Sequence, residues 1–115
     1  MEADSAVAAL SALAHPGRLR IFRLLVVAGE AGMAAGDVAR AAEILPNTLS
    51  TNLNILGNAG LVTSRRDGRS IVYRAAYDRM SELLVFLTED CCAGNAAICA
   101  PLAQVAGRAA ACNNC

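Results

Sequence analysis

The sequence predicts a mainly α, α+β fold in which four short helices precede a β-hairpin and one helix follows it. Apolar residues recur at helical spacing in separate segments, which indicates helices that each bury one face. Before the last helix the pattern changes to a period of two around an Asp-Gly dipeptide, as in a hairpin. The chain has 115 residues, 56% of them hydrophobic, which suits one folded domain of ordinary size.

A His-Pro-Gly break separates the first two predicted helices. The first spans residues 5–14, with Ser5 as its expected N-cap, and its larger apolar residues fall on one face: Val7, Leu10 and Leu13. Pro16 suits the first position of the second helix, which extends to about residue 28. His15, the only histidine of the chain, is expected to be a structural residue at this junction.

The third and fourth predicted helices are short and close together. The third runs from residue 36 or 37 to residue 43 and turns Val38 and Ala42 inward. The fourth is opened by Pro46 and closed by Gly60. Three leucines in it follow the i, i+4, i+7 spacing of a core stripe: Leu49, Leu53 and Leu56.

A hairpin and a last helix complete the predicted domain. Residues 61–66 and 69–74 alternate like strands around a turn at Asp67-Gly68, and the last helix spans residues 78–90. Two short helices joined by a tight turn and followed by a two-stranded ribbon form a winged helix-turn-helix, whose second helix enters the DNA major groove. We therefore expect a DNA-binding and dimerisation domain over residues 1–90 and a cysteine-bearing segment over residues 91–115.

Charge and cysteine usage exclude several classes of protein. Ten basic residues, all of them Arg, balance ten acidic ones, so the chain is not a polybasic protein that coats nucleic acid. No run of 18 apolar residues occurs, and the five cysteines all lie in the last 25 residues, unlike a disulfide framework. These features predict a cytoplasmic protein with no membrane segment and with a local thiol site.

The outer face of the fourth helix is polar and uncharged. An ordinary surface helix carries Glu, Lys and Arg, whereas this one has no charged residue between Pro46 and Gly60. Asn binds adenine through two hydrogen bonds, and Ser or Thr reach bases or phosphates, so this face is expected to read DNA. The alternative is a solvated polar helix. The candidate DNA-reading residues are Asn47, Thr48, Ser50, Thr51, Asn52 and Asn54.

Arginines are concentrated on the hairpin. Four of them lie within ten residues, opposed only by Asp67, and can neutralise the phosphates that flank the groove. The candidate phosphate contacts are Arg65, Arg66 and Arg69. A protomer of this size reads only a few base pairs, so we expect a homodimer on double-stranded palindromic operator DNA.

Three stretches of the chain resemble the ArsR/SmtB family of metal-responsive repressors, and the resemblance covers about residues 5–90. They read LAHPGRLRI (13–21), TLSTNLNILGNAGLV (48–62) and RRDGR with VYR (65–69 and 72–74). The resemblance implies a winged-helix homodimer, joined through its first and last helices, that represses its own operon and releases DNA when an inducer binds. Ser50 matches the family's usual serine, whereas Thr51 and Asn52 stand where histidines are frequent.

The inducer site is expected at the C-terminal cysteines. The Cys-Val-Cys of familiar arsenic repressors is replaced here by Met-Ala-Ala-Gly-Asp (33–37), and a zinc-type site on the last helix lacks its histidines. Cys91, Cys92 and Cys99 remain, and three soft thiolates suit trivalent arsenic or antimony better than tetrahedral zinc. A Cys-Cys pair followed by a third Cys also resembles a subgroup of arsenic repressors. Gly94-Asn95 is expected to bend the chain so that the sulfurs converge.

Two other functions remain open from the sequence. A winged-helix repressor that senses thiol redox, with Cys99 as the disulfide partner, would use the same cysteines. An arsenic-handling enzyme is disfavoured because the Cys-x5-Arg loop of small reductases is missing, so neither enzyme activity nor a catalytic cofactor is expected. Cys112 and Cys115 form a terminal CxxC that is at most an auxiliary ligand.

Overall fold

The structure, a computed structural model, describes residues 1–88 of the chain. The predicted order of four helices, a hairpin and a last helix is confirmed, with one additional short strand. The elements are α1 (Ala3–Leu13), α2 (Pro16–Ala28), β1 (Met33–Ala34), α3 (Ala35–Ala42), α4 (Pro46–Asn58), β2 (Val62–Asp67), β3 (Ser70–Ala75) and α5 (Tyr77–Thr88). The predicted end of the last helix and the whole cysteine-bearing segment lie outside the described residues.

The chain divides within α5 into two units, Met1–Leu83 and Leu84–Cys115. The first unit holds all the strands named above and helices α1 to α4. Of the second unit the structure describes residues 84–88, where the Thr88 hydroxyl donates to the Leu84 carbonyl at 2.8 Å. Within residues 1–88 no helix is both long and apolar enough to cross a bilayer. The predicted boundary at residue 90 stays a prediction.

The core of the first unit confirms the predicted inward faces of α3 and α4. Val38 and Ala42 of α3 are buried, as are the three leucines of the predicted stripe on α4. The largest fully buried side chains come from α2, α3, α4 and the chain just before β2: Ile21, Leu25, Val38, Leu56 and Leu61. Each such side chain contributes roughly 1.5–3 kcal/mol through the apolar area it removes from water. This burial fixes which face of α4 is turned outward.

Alanines form the packed face of α1. Ala6, Ala9 and Ala12 are buried at a spacing of three, whereas Val7 is 64% and Leu10 is 41% exposed. Small side chains allow a close approach of neighbouring helices, and the larger residues are left on the outer surface. The helix begins at Ala3, with Glu2 as its N-cap residue. The expectation that Ser5 is the N-cap is therefore wrong, because Ser5 already lies inside the helix.

The sheet differs from the prediction in two details. A strand of only two residues, β1, pairs antiparallel with β3 in the register Met33↔Tyr73 and was not predicted because two residues show no periodicity. The hairpin turn is Gly68-Arg69, since Asp67 pairs with Ser70, so the predicted turn is one residue too early. Gly68 has φ +63°, which suits the first central position of a type II′ turn.

His15 is the N-cap of α2, in agreement with its predicted structural role. Its Nδ1 atom accepts hydrogen bonds from the backbone N–H groups of Gly17 at 3.1 Å and Arg18 at 3.3 Å. Pro16 follows at the first helical position, where the missing N–H of proline costs nothing. Because Nδ1 accepts, the proton of the neutral ring is assigned to Nε2.

We expect the variant His15→Ala to lower the free energy of unfolding by about 1 kcal/mol, because two helix-end N–H groups lose their acceptor. His15→Asn should retain most of the stability, since an asparagine side chain is a preferred N-cap. Urea denaturation of both variants beside the wild type measures the difference. A loss of the same size in both variants would show that the loss does not come from the cap hydrogen bonds.

Candidate nucleic-acid interface

The turn between α3 and α4 sets the orientation of α4 relative to α3. Glu43 ends α3 in the left-handed region, with φ 56°, and the Ile44 N–H donates to the Ala39 carbonyl at 3.0 Å. The Arg20 guanidinium of α2 donates to the Ala42 carbonyl at 3.1 Å. These contacts satisfy carbonyl groups at the end of α3 that would otherwise lack a partner. The two helices are thereby held as a helix-turn-helix pair against α2.

The outer face of α4 carries most of the predicted DNA-reading residues. The side of the helix opposite the buried leucines is exposed and uncharged over its whole length. Short polar side chains leave the helix backbone accessible to a groove. The predicted residues that lie on this face are Asn47, Thr48, Ser50, Thr51 and Asn54.

Asn52 lies on the buried side of α4, and its assignment as a DNA-reading residue is corrected. It is 5% exposed, and its Nδ2 atom lies 3.6 Å from where a Cβ on Gly17 would stand. The helical period explains this placement, because residues 49, 52, 53 and 56 share one face. The spacing from Leu49 and Leu56 would have revealed it in the sequence. Asn52 instead packs against the start of α2.

Thr51 is chemically restricted by a bond inside its own helix. Its hydroxyl donates to the Asn47 carbonyl at 3.2 Å. A hydroxyl has one proton to donate, so in this rotamer Thr51 can only accept a hydrogen bond from DNA. Phosphate oxygens are acceptors and the amino groups of adenine and cytosine are donors. Thr51 therefore suits a base edge better than the phosphate backbone.

The N-terminus of α4 is exposed and has an apolar residue in front of it. Leu45 occupies the N-cap position and is 74% exposed, and no side chain of residues 1–88 caps this end of the helix. The N–H groups of Asn47 and Thr48 therefore point outward from the positive end of the helix dipole. Leu45 was not singled out from the sequence, because an apolar residue before a helix is typical of a core position.

The two faces of the β-hairpin carry different arginines. Val62 is buried, and its Cγ2 lies 3.9 Å from where a Cβ on Gly57 of α4 would stand, so its face of β2 is turned toward α4. Arg66 shares this face because side chains two or four residues apart point the same way. Arg65 lies on the opposite face, as does Arg74, which pairs with Thr63. All the hairpin residues from 63 to 71 are exposed.

Arg69 stands at the tip of the hairpin, in the turn itself. The structure thus brings Arg66 to the side of the sheet on which α4 lies, and it places Arg69 further along the hairpin, at its tip. It does not bring Arg65 to that side. The predicted metal ligands Cys91, Cys92 and Cys99 lie outside the described residues, and within residues 1–88 no group of three or more His, Cys, Asp or Glu side chains could hold a metal ion.

A helix-turn-helix pair whose exposed second helix is uncharged, beside an arginine-bearing hairpin, defines a winged helix-turn-helix protein. The helix-turn-helix domain family matches residues 13–65 of the chain. The solution structure of the homodimeric winged helix-turn-helix DNA-binding domain of Mb0332 from Mycobacterium bovis, described as a possible ArsR-family transcriptional regulator, is 34% identical, with a TM-score of 0.62 over 76% of this chain and 80% of that one. The chain belongs to the ArsR/SmtB family of winged helix-turn-helix regulators.

Two sequence relatives add to this assignment. The HTH-type transcriptional regulator Rv0081 of Mycobacterium tuberculosis is 40% identical over 73 residues, which cover 63% of this chain and 61% of that protein. A protein of Halobacterium salinarum that is described as a candidate arsenical resistance operon repressor, ArsR, is 38% identical over 87 residues, covering 76% of this chain and 64% of that protein. The chain thus matches less than two thirds of the length of either relative.

Proposed function

We propose that this chain is a metalloid-responsive transcriptional repressor of the cytoplasm, whose homodimer binds a palindromic operator and releases it when trivalent arsenic binds. The observation that supports DNA binding most directly is the exposed, uncharged face of α4 beside the arginines of the hairpin. A charge-free helix surface is unusual in water but suits a groove, where short amide and hydroxyl side chains meet base edges. The family assignment supports the repressor role.

In this proposal α4 reads bases while its surroundings contact phosphates. Asn47, Ser50 and Asn54 approach base edges, and Thr51 accepts a hydrogen bond from an adenine or cytosine amino group. Arg66 and Arg69 contact the phosphates beside the groove, and each lost phosphate contact lowers the slope of log affinity against log salt by roughly one unit. The uncapped N–H groups at the start of α4 suit another phosphate, since helix N-termini attract anions.

The homodimer is proposed to use the outer face of α1. Val7 and Leu10 are exposed there although the helix is otherwise packed through alanines. Large exposed apolar side chains cost free energy in water, and a second copy of the helix would bury them. The M. bovis relative is a homodimer, which supports a homodimer here.

The inducer is proposed to bind Cys91, Cys92 and Cys99. Three thiols replace the three hydroxyl groups of arsenous acid, which forms three As–S bonds and releases three waters without any change of oxidation state. Soft sulfur ligands favour arsenic or antimony over hard ions, and the chain has no histidine near these positions to complete a zinc site. The name of the Halobacterium relative supports an arsenical as the inducer.

Release of DNA requires that the arsenic-bound protein favours a conformation with lower DNA affinity. In the sequence the first two cysteines come three and four residues after Thr88, the last described residue of α5, and we propose that binding them to the ion restrains the chain that follows α5. A differential binding free energy of roughly 1–3 kcal/mol is typical of such coupling and lowers the DNA affinity about 5- to 150-fold.

The DNA-binding part is tested with two matched asparagine variants of α4. Both residues are exposed, but Asn47 lies near the N-terminus of the helix and Asn58 lies about 16 Å further along it. We expect Asn47→Ala to weaken binding to DNA from upstream of the gene by about tenfold, the effect of losing a base contact of 1–3 kcal/mol. Asn58→Ala should change the affinity less than about twofold.

Fluorescence anisotropy with a labelled duplex measures both affinities, and circular dichroism checks that both variants are folded. Equal effects of the two substitutions would contradict the assignment of α4 as the reading helix. If the wild type binds its upstream DNA no more tightly than an unrelated duplex, the proposed repressor function is wrong.

A further inference from the structure

The face of the hairpin that is turned away from α4 forms side-chain contacts with the turn between α2 and β1. The Arg65 guanidinium on β2 reaches across β3 and donates to the backbone carbonyl of Ala31 at 2.8 Å. Ala31 lies in the turn between α2 and β1. A hydrogen bond from a charged guanidinium to a carbonyl is stronger than one between neutral groups. Arg65 thus has a partner within the protein on the side opposite Arg66.

A second arginine of the same face contacts the same turn. Arg74 on β3 forms an ion pair with Glu30, the residue beside Ala31. The Arg74 side chain is 40% and the Glu30 side chain 75% exposed, so this pair alone adds little stability. Together, however, the two arginines connect both strands of the hairpin to two consecutive residues of one turn.

The turn that receives these contacts is itself closely packed. Gly32 has φ +72°, its N–H donates to the Gly29 carbonyl at 3.1 Å, and a Cβ added to it would stand 2.4 Å from the Tyr73 carbonyl oxygen. The next two residues pair with β3. The turn is therefore held in place against β3, beside the base of the hairpin.

We propose that Arg65 is a positioning residue that holds the hairpin at the angle at which Arg66 and Arg69 reach phosphates, and that it contacts no phosphate itself. This inference rests on the proposed DNA-binding function. β1 pairs with Val72 and Tyr73 of β3, so the hairpin beyond these residues is a two-stranded ribbon, which is weakly stable without further attachment. The bond between Arg65 and Ala31 supplies such an attachment on the face opposite the one turned toward α4.

A double-mutant cycle separates positioning from direct contact. We expect Arg65→Gln to weaken DNA binding about fivefold when Arg66 and Arg69 are present, as expected for one lost hydrogen bond of roughly 1 kcal/mol. In the background R66Q/R69Q the same substitution should change the affinity less than about twofold, because the hairpin then has no phosphate contact left to position. The slope of log affinity against log salt should be the same for the triple variant R65Q/R66Q/R69Q as for R66Q/R69Q.

Arg66→Gln alone is the matched control, because it removes the same charge from the neighbouring position. It should lower the salt slope by about one unit. If Arg65→Gln lowers the affinity by the same factor in both backgrounds and lowers the slope by about one unit each time, Arg65 contacts a phosphate directly and the proposal is overturned.

Hydrogen exchange of the free protein tests the attachment without DNA. Arg65→Gln should speed the exchange of amides in residues 31–34 and 70–75 at least about threefold while leaving those of α4 unchanged. Unchanged exchange in these segments would also overturn the proposal. If the wild type fails to bind its upstream DNA, the proposed function fails, and the exchange rates alone then decide whether Arg65 holds the hairpin.

Discussion

The variant Cys91→Ser should bind operator DNA as tightly as the wild type in the reduced state and should no longer respond to arsenite. A serine hydroxyl does not replace a soft thiolate as a ligand of trivalent arsenic, and two remaining sulfurs leave one coordination position to water. For the wild type, saturating arsenite is expected to weaken DNA binding at least about fivefold. The affinity of Cys91→Ser should change less than about twofold.

Fluorescence anisotropy under a non-thiol reductant measures this difference, because thiol reductants compete for arsenite. Cys115→Ser is the matched control, since it also removes one C-terminal thiol but lies outside the proposed set of three. Cys99→Ser should impair the response to arsenite more than the response to methylarsenite, which needs only two sulfurs. Equal impairment for both arsenicals would contradict a three-sulfur site.

Two results would move the inducer assignment elsewhere. Release of DNA by arsenite from Cys91→Ser would place the ligands among other residues. Release of DNA by peroxide, reversed by reductant and without any response to arsenite, would establish the redox alternative that uses the same cysteines. Both results would leave the DNA-binding role of α4 and the hairpin intact.

The variant Gly32→Ala should lower the free energy of unfolding by about 3 kcal/mol. An alanine at φ +72° costs roughly 1–2 kcal/mol through its backbone conformation. Its methyl group would also stand 2.4 Å from the Tyr73 carbonyl oxygen and 3.0 Å from Val72 Cγ1, and the resulting displacement of β1 from β3 adds roughly 1–3 kcal/mol.

Gly68→Ala is the control for the conformational part of this loss. Gly68 also has a positive φ, +63°, but among residues 1–88 no atom other than those of its chain neighbours lies within 4 Å of where its Cβ would stand. We expect this variant to lose about 1 kcal/mol. Guanidinium denaturation followed by circular dichroism compares the two variants. If both lose the same free energy, the close contact between Gly32 and β3 is not a constraint on the fold.

The sequence by itself determined the features that depend on neighbours along the chain. The leucine stripe of α4, the inward residues Val38 and Ala42, and the change to a period of two near residue 67 each follow from local geometry. A helix repeats every 3.6 residues and a strand every two, so the pattern of apolar residues already specifies the element and its buried face. The uncharged outer face of α4 was visible for the same reason.

Only the tertiary structure decided which polar and apolar residues meet distant parts of the chain. Asn52 is buried because the start of α2 packs against it. α1 packs through alanines because its neighbouring helices come close. β1 forms because its two residues pair with β3. Arg65 and Arg66 are neighbours in sequence with the same side chain, yet one binds Ala31 and the other lies toward α4. The contacts of Asn52, of β1 and of Arg65 join residues more than 30 positions apart, and no local period encodes them.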